Sequence, residues 1–197
     1  MATWSGTIAA SADDAAQAPD TSVSITSVVM NANSATQGGG MRWPNVTIPQ
    51  GATINSATLT ITVLNTSFDD PDVSIYGQAA DNAAAFAATN NNVSSRTSTT
   101  ATVTWTATSI GAGAKNAPEL KTVIQEITDR AGWSSGNGLA LIIWGRSGAS
   151  LLRWNQYDNG SGAASLSIDY TDPPAATVGS KTARVRLGTK VGGLLTA

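Results

Sequence analysis

The chain contains no histidine and no cysteine among its 197 residues. The first absence removes the commonest general base, the usual zinc ligand and the side chain that titrates near neutrality. The second removes a disulfide framework and thiolate chemistry, and leaves the redox compartment undecided. Charge is scarce as well: 12% of residues are Asp, Glu, Lys or Arg, about half the usual ~25% share. The polar surface must therefore be built from Thr, Ser, Asn and Gly. No apolar run approaches the ~20 residues needed to cross a bilayer, so no membrane partner is expected. The segment Met1–Gly6 has neither a basic n-region nor an apolar h-region. A secretory signal is not expected there, and synthesis in a cytoplasm is.

Catalytic motifs are missing in the same way. The two glutamates, Glu119 and Glu126, fall on one helical pattern and read as solvated helix surface rather than as a glycosidase pair. There is no Ser-His-Asp set, no Gly-rich phosphate loop and no zinc spacing. The chain is expected not to be an enzyme, with no catalytic and no cofactor-binding residue to assign. Asn45-Val46-Thr47 and Asn65-Thr66-Ser67 match the glycosylation pattern, as chance alone produces in so Asn- and Thr-rich a chain.

What is present is alternation. With 41% hydrophobic residues the chain can bury the core of one ordinary domain. Ala57, Leu59, Ile61 and Val63 alternate with Thr58, Thr60 and Thr62 in the best strand, Asn55–Asn65. Ala101, Val103, Trp105 and Ala107 alternate with threonines, and Leu166, Ile168 and Tyr170 with Ser167 and Asp169. A period of two with one apolar and one hydroxyl face suits antiparallel sheets stacked on one side and wet on the other. Weaker strands are expected at Thr3–Ala10, Val23–Met30, Met41–Ile48, Val73–Ala79 and Leu151–Tyr157. Leu139–Trp144 is apolar on both faces and is expected to lie centrally, between the helix and the second sheet. Gly38-Gly39-Gly40, Ile48-Pro49-Gln50-Gly51, Asp69-Asp70-Pro71-Asp72 and Asn159-Gly160 read as turns.

One helix is expected, over about residues 118–131. Pro118 suits its first turn, and Glu119 sits where the macrodipole favours an anion. Leu120, Val123, Ile124 and Ile127 form the stripe that packs on the sheet. Glu126 and Arg130 are spaced for an i,i+4 pair, and Gly132 for a left-handed cap. A shorter helical turn is expected at Asn82–Ala88, with Phe86 facing inward. The predicted fold is thus all-β: an antiparallel, jelly-roll-like β-sandwich of residues 1–172 with one packed α-helix.

Residues 173–197 form a separate, extended arm. Pro173-Pro174 ends the last strand, and the Gly-, Ala- and Thr-rich remainder cannot build a core. Up to Asp172 seven basic residues face all thirteen acidic ones, a balance of −6; from Pro173 onward there are four basic residues and no acidic one, a balance of +4. Lys181, Arg184, Val185, Arg186, Leu187 and Lys190 are the candidate partner-binding residues: Ala183–Leu187 alternates like a strand able to add to a neighbour's sheet edge, or the basic arm could lie on an acidic capsid surface; the plain reading is a flexible terminus. Four charges on a net-acidic protein argue against nucleic acid as the partner.

Two other features carry a functional reading beside a plain one. Asp69, Asp70 and Asp72 could ligate Ca²⁺ or form a polar hairpin loop, and Asp13 and Asp14 pose the same choice. Apart from Ca²⁺, no cofactor is expected. The six tryptophans could stack sugars or fill the core. Trp105, Trp133 and Trp144 read as core, whereas Trp4, Trp43 and Trp154 are less constrained. Trp43 and Trp154 each follow an arginine that could rest against an indole.

Several motifs together resemble a phage structural domain of the minor-tail and head-decoration type. They are Met41-Arg42-Trp43-Pro44, the run Ile48-Pro49-Gln50-Gly51 through Leu59, Pro118-Glu119-Leu120 leading to Ile127, and Gly132-Trp133-Ser134-Ser135-Gly136-Asn137. Their order, with Tyr157-Asp158 late in the chain, is also similar to DNRLRE-type carbohydrate-binding-like modules of secreted proteins. The resemblance covers residues 3–171. It implies a non-enzymatic virion protein, displayed on the head or tail surface after assembly in a bacterial host. Its partners would be the major capsid or tail proteins and further copies of itself, with a trimer the favoured closed ring. A carbohydrate-binding or adhesion module is the alternative it implies.

Overall fold

Alternating side chains fold into two stacked antiparallel sheets in the computed structural model, which describes residues 1–64, 70–146 and 151–174. In chain order the strands are β1 (Ala2–Thr7), β2 (Asp14–Gln17), β3 (Val23–Ser24), β4 (Val29–Ala32), β5 (Gly38–Val46), β6 (Thr53–Val63), β7 (Asp72–Gln78), β8 (Ser98–Thr106), β9 (Gly113–Asn116), β10 (Asn137–Gly145), β11 (Leu152–Asn155) and β12 (Ser165–Thr171). One sheet runs β1-β12-β6-β11-β4, with β9 also on β6; the other runs β3-β2-β5-β10-β7-β8. Neighbours in both are antiparallel. The expected β-sandwich with a single helix is the observed architecture. Residues 175–197 of the arm, including Lys181, Arg184, Val185, Arg186, Leu187 and Lys190, lie outside the described residues.

The period-two strands point as their sequences require. Ala57, Leu59, Ile61 and Val63 on β6 and Leu166, Ile168 and Tyr170 on β12 are buried, while Ser56, Thr58, Thr60 and Thr62 turn the other way. β10 pairs β5 on one side and β7 on the other, so its unbroken apolar run is central, as expected. Its cover is different from the expected one. The outward residues Ala140 and Ile142 pack with Phe86, Val93, Ala83 and Val23, so the segment 79–97 crosses this face where the helix was expected. Phe86 faces inward, but residues 83–87 carry no helical turn. Arg96 fastens the segment: its guanidinium lies 3.9 Å from the Phe86 ring centroid and donates to Gln78, Ala84 and Ala85 oxygens.

The helix α1 is shorter than its apolar stripe suggests, Lys121–Thr128. Residues 117–120 stay outside the helix: Ala117 N–H and Leu120 N–H donate to the Leu59 and Ala57 carbonyls of β6. Glu119 is therefore not a first-turn anion; its Oε1 accepts from Ala57 N–H at 2.7 Å and Lys121 N–H at 2.9 Å. Val123, Ile124 and Ile127 are buried and wedge α1 between β6 of one sheet and β7 and β8 of the other. The expected Glu126–Arg130 pair does not form. Arg130 binds Asp81 at 2.7 Å, and the Glu126 carboxylate accepts the N–H groups of Thr100 and Ala101, each at 2.7 Å.

Glycines expected to bend the chain do other work. Gly38, Gly39 and Gly40 are not a turn; they open β5. A Cβ on Gly39 would collide with the Met30 thioether inside the sandwich, and one on Gly40 with the Phe86 ring outside it. Gly132 has no left-handed backbone; a Cβ there would overlap the Asp81 carboxylate. Gly51 and Gly160 do turn with positive φ, 74° and 79°, as their loops require. Two strands had no alternation to reveal them, β2 and β9. Val23–Met30 divides into β3 and β4.

Candidate functional site

The loop after β1 and the loop after β11 meet at one end of the sandwich. The first carries a 3-10 turn, Ser11–Asp13, and leads into Asp14 at the start of β2. The second carries Gln156 and a 3-10 turn, Tyr157–Asn159, closed by Gly160. Three hydrogen bonds tie the loops together. Ser11 Oγ donates to Asp158 Oδ1 at 2.9 Å. Gln156 Nε2 lies 3.3 Å from Asp14 Oδ1, and Tyr157 N–H donates to Asp14 Oδ2 at 2.8 Å.

The two adjacent aspartates meet opposite surroundings. Asp13 accepts from Arg42 Nη1 at 2.5 Å, while Arg42 Nε donates to the Ala83 carbonyl at 2.6 Å. Asp14 is 1% exposed and no cation pairs with it: the ion pairs among the described residues are Asp13–Arg42, Asp81–Arg130 and Asp72–Arg146. Burial pushes the Asp14 carboxyl up to about 7, against the Tyr157 N–H that favours its charge, and the nearby Asp158 and Asp13 carboxylates push the same way.

Oxygen atoms in the second loop are left over. Gln156 is fully buried, yet its Oε1 has no hydrogen-bond partner, and neither does the buried Asp158 Oδ2. Asn155 Oδ1 is a third such atom, although Asn155 Nδ2 donates to the Ser161 carbonyl at 3.2 Å. Buried acceptors without partners cost about 1–3 kcal/mol each, and three within four residues single this loop out. Beside it opens a cavity of about 500 Å³, lined by Thr7, Ile8, Tyr157, Asp158 and the Gly160–Ala163 backbone. Asp158 thus faces both the cluster and the cavity, whereas Asp14 lies behind it. Among the described residues no three His, Cys, Asp or Glu side chains gather closely enough to hold a metal by themselves.

The remaining sequence candidates separate. Of the acidic loop, Asp69 lies outside the described residues. Asp70 accepts the Ser109 N–H, and Asp72 Oδ1 binds Arg146 at 3.0 Å. The tryptophans are core more often than expected. Trp43 and Trp154 are 1% and 0% exposed, so no platform of stacked indoles faces solvent on β5 or β11. Trp105 and Trp133 are buried as expected, Trp133 donating to the Ile48 carbonyl at 2.9 Å. Trp144 and Trp4 are half-buried. Among the described residues the exposed aromatic is Tyr157, 39% exposed at the rim of the cavity. Sequence reasoning flagged Asp13 and Asp14 but missed Gln156 as their partner. The only local hint was a run of polar residues, Asn155 to Asn159, after a buried strand.

Two sheet edges are candidate interaction surfaces. β1 and β8 each pair with a strand on one side only. β8 spans nine residues without a charge, STTATVTWT. Glu126 accepts two of its N–H groups near the start, and among the described residues no side chain is seen capping the stretch from Thr102 onward in the same way. Compared with known proteins, the chain matches no family model and no curated protein.

Proposed function

We propose that the protein is a non-enzymatic structural component of a bacteriophage particle, displayed on the head or tail surface and held by its C-terminal arm and by contacts between copies. The virion assignment rests on the resemblance of the Met41–Pro44, Ile48–Leu59 and Gly132–Asn137 motifs to phage decoration and minor-tail domains. What supports the mechanism is that one chain carries both an uncharged strand, β8, with a single neighbour among the described residues and a basic, strand-patterned arm sequence on an acidic body. An unpaired edge is a template for another strand. The arm's balance of +4 against −6 for residues 1–172 favours contact with a neighbouring body over its own solvation. Assembly in the bacterial cytoplasm and display on the virion follow from this reading, with major capsid or tail proteins as partners.

An antibody against the body, used on purified particles from the source strain by immuno-electron microscopy, tests it. Labelling of the particle surface, lost on deletion of residues 175–197, supports the proposal. Particles free of the chain contradict it.

One observation favours the alternative of a carbohydrate-binding module: Tyr157 stands exposed over a cavity edged by Thr7, Asp158 and Ser161. Aromatic stacking with flanking hydroxyls is what a sugar requires. Retention of residues 1–174 on a glycan array, abolished by Tyr157→Ala, would favour it over the virion reading.

A further inference from the structure

We propose that Asp14, Asp158 and Gln156 form a binding site for one divalent cation of the calcium type, clamping the loop after β1 to the loop after β11. The inference stands apart from the assembly reading. Two carboxylates and one amide oxygen supply hard ligands, and no nitrogen or sulfur ligand is at hand to favour a transition metal. Asp14 Oδ1 is already 3.3 Å from the Gln156 amide. That amide is fully buried with Oε1 unpartnered, and Asp158 Oδ2 is buried and unpartnered as well. Turning the Gln156 amide over would replace a weak N–H contact with an oxygen beside Asp14 Oδ1. A cation there would satisfy both orphaned acceptors at once and draw on two carboxylates that, among the described residues, no arginine or lysine pairs with.

The neighbours fit a clamp of this kind. Asp13, which could have competed, is engaged by Arg42. Ser11 holds Asp158 Oδ1 in place and leaves Oδ2 free for the ion. Calcium takes 6–8 oxygens, more than three side chains provide, and the cavity lined by Asp158 gives water access to complete the shell. Magnesium demands stricter octahedral geometry and sheds water reluctantly, so calcium is preferred.

The full chain, stripped with EDTA and dialysed, is titrated with calcium chloride by calorimetry and melted with and without millimolar calcium. One ion per chain is expected, with a Kd on the order of 10–1000 µM. The melting temperature should rise by about 5–10 °C at a hundredfold excess over Kd. Asp158→Asn should weaken binding roughly a hundredfold or more, whereas Asp70→Asn should leave it unchanged. Should Asp158→Asn fail to fold, NMR of the wild-type chain decides: calcium must move the Tyr157 and Asp158 amide signals. Magnesium should reproduce none of these effects at equal concentration. No binding heat with equal melting temperatures, binding that survives Asp158→Asn, or signals that move only around Asp70 would each overturn the site.

Discussion

Asp13 and Asp14 are neighbours in sequence and strangers in electrostatics, and the difference has a measurable consequence. Arg42 neutralises the first. The second is buried without a cation, close to Asp158, and its carboxyl is pushed from 3.8 up to about 7. In the metal-stripped protein the folded chain therefore keeps a proton that the unfolded chain releases above pH ~4. The sign follows: stability is highest below that pH and falls as pH rises towards 7, by a few kcal/mol at most, then levels off. Urea denaturation in EDTA across this range should show the decline, and Asp14→Asn should flatten it. Stability that rose steadily over the same window, or an unaltered slope in the variant, would contradict the assignment. A second residue-scale expectation concerns Gly39. Replacing it by Ala drives a methyl group into Met30, and overpacking of this kind costs about 1–3 kcal/mol. Thermal melting should fall by several degrees, while Gly51→Ala, strained only by its positive φ, should fall less.

At the scale of elements, α1 both fills one side of the sandwich and guards an edge. Glu126 takes the Thr100 and Ala101 N–H groups, so Glu126→Ala removes two charge-assisted hydrogen bonds and lengthens the open edge of β8. A loss of about 1–3 kcal/mol is expected, together with greater self-association at high concentration, measured by calorimetry and light scattering. Glu126→Gln, which keeps one acceptor, should lose less. Elements with a period were legible in the sequence: β6, β8 and β12 fall where alternation puts them, and β10 is central because both its faces are apolar. Elements set by packing were not. Gly38–Gly40 reads as punctuation locally, yet each glycine is needed because Trp144, Met30 or Phe86 presses on the strand. The helix loses its first expected turn to backbone pairing with β6, a contact some sixty residues away in sequence that no local pattern encodes. The candidate site shows the same divide. Asp13-Asp14 stands out as an acidic pair, but Gln156 and Asp158 join it only through the closure of the sandwich, at separations of 142 and 147 residues for the bonded pairs.

For the whole molecule, the two sheets and α1 enclose a core that includes Trp43, Trp154, Met30 and Ile124, all nearly inaccessible. Among the described residues, every buried hydrophobic one lies before Pro173, and we expect the body to fold without the arm. On the proposed reading, the arm acts at the level of assembly, through charge and strand pairing between copies. Salt should weaken that association, since four cations on the arm meet an acidic surface whose attraction is screened over about 8–10 Å at 0.10–0.15 M ionic strength. The measurement that tests this division most directly is light scattering coupled to size exclusion, run on the full chain and on residues 1–174, with melting curves for both. A folded, monomeric 1–174 fragment whose melting temperature matches the body of the full chain is expected, together with a full chain that assembles at low salt. A fragment that fails to fold, or that assembles as well as the full chain, would contradict it.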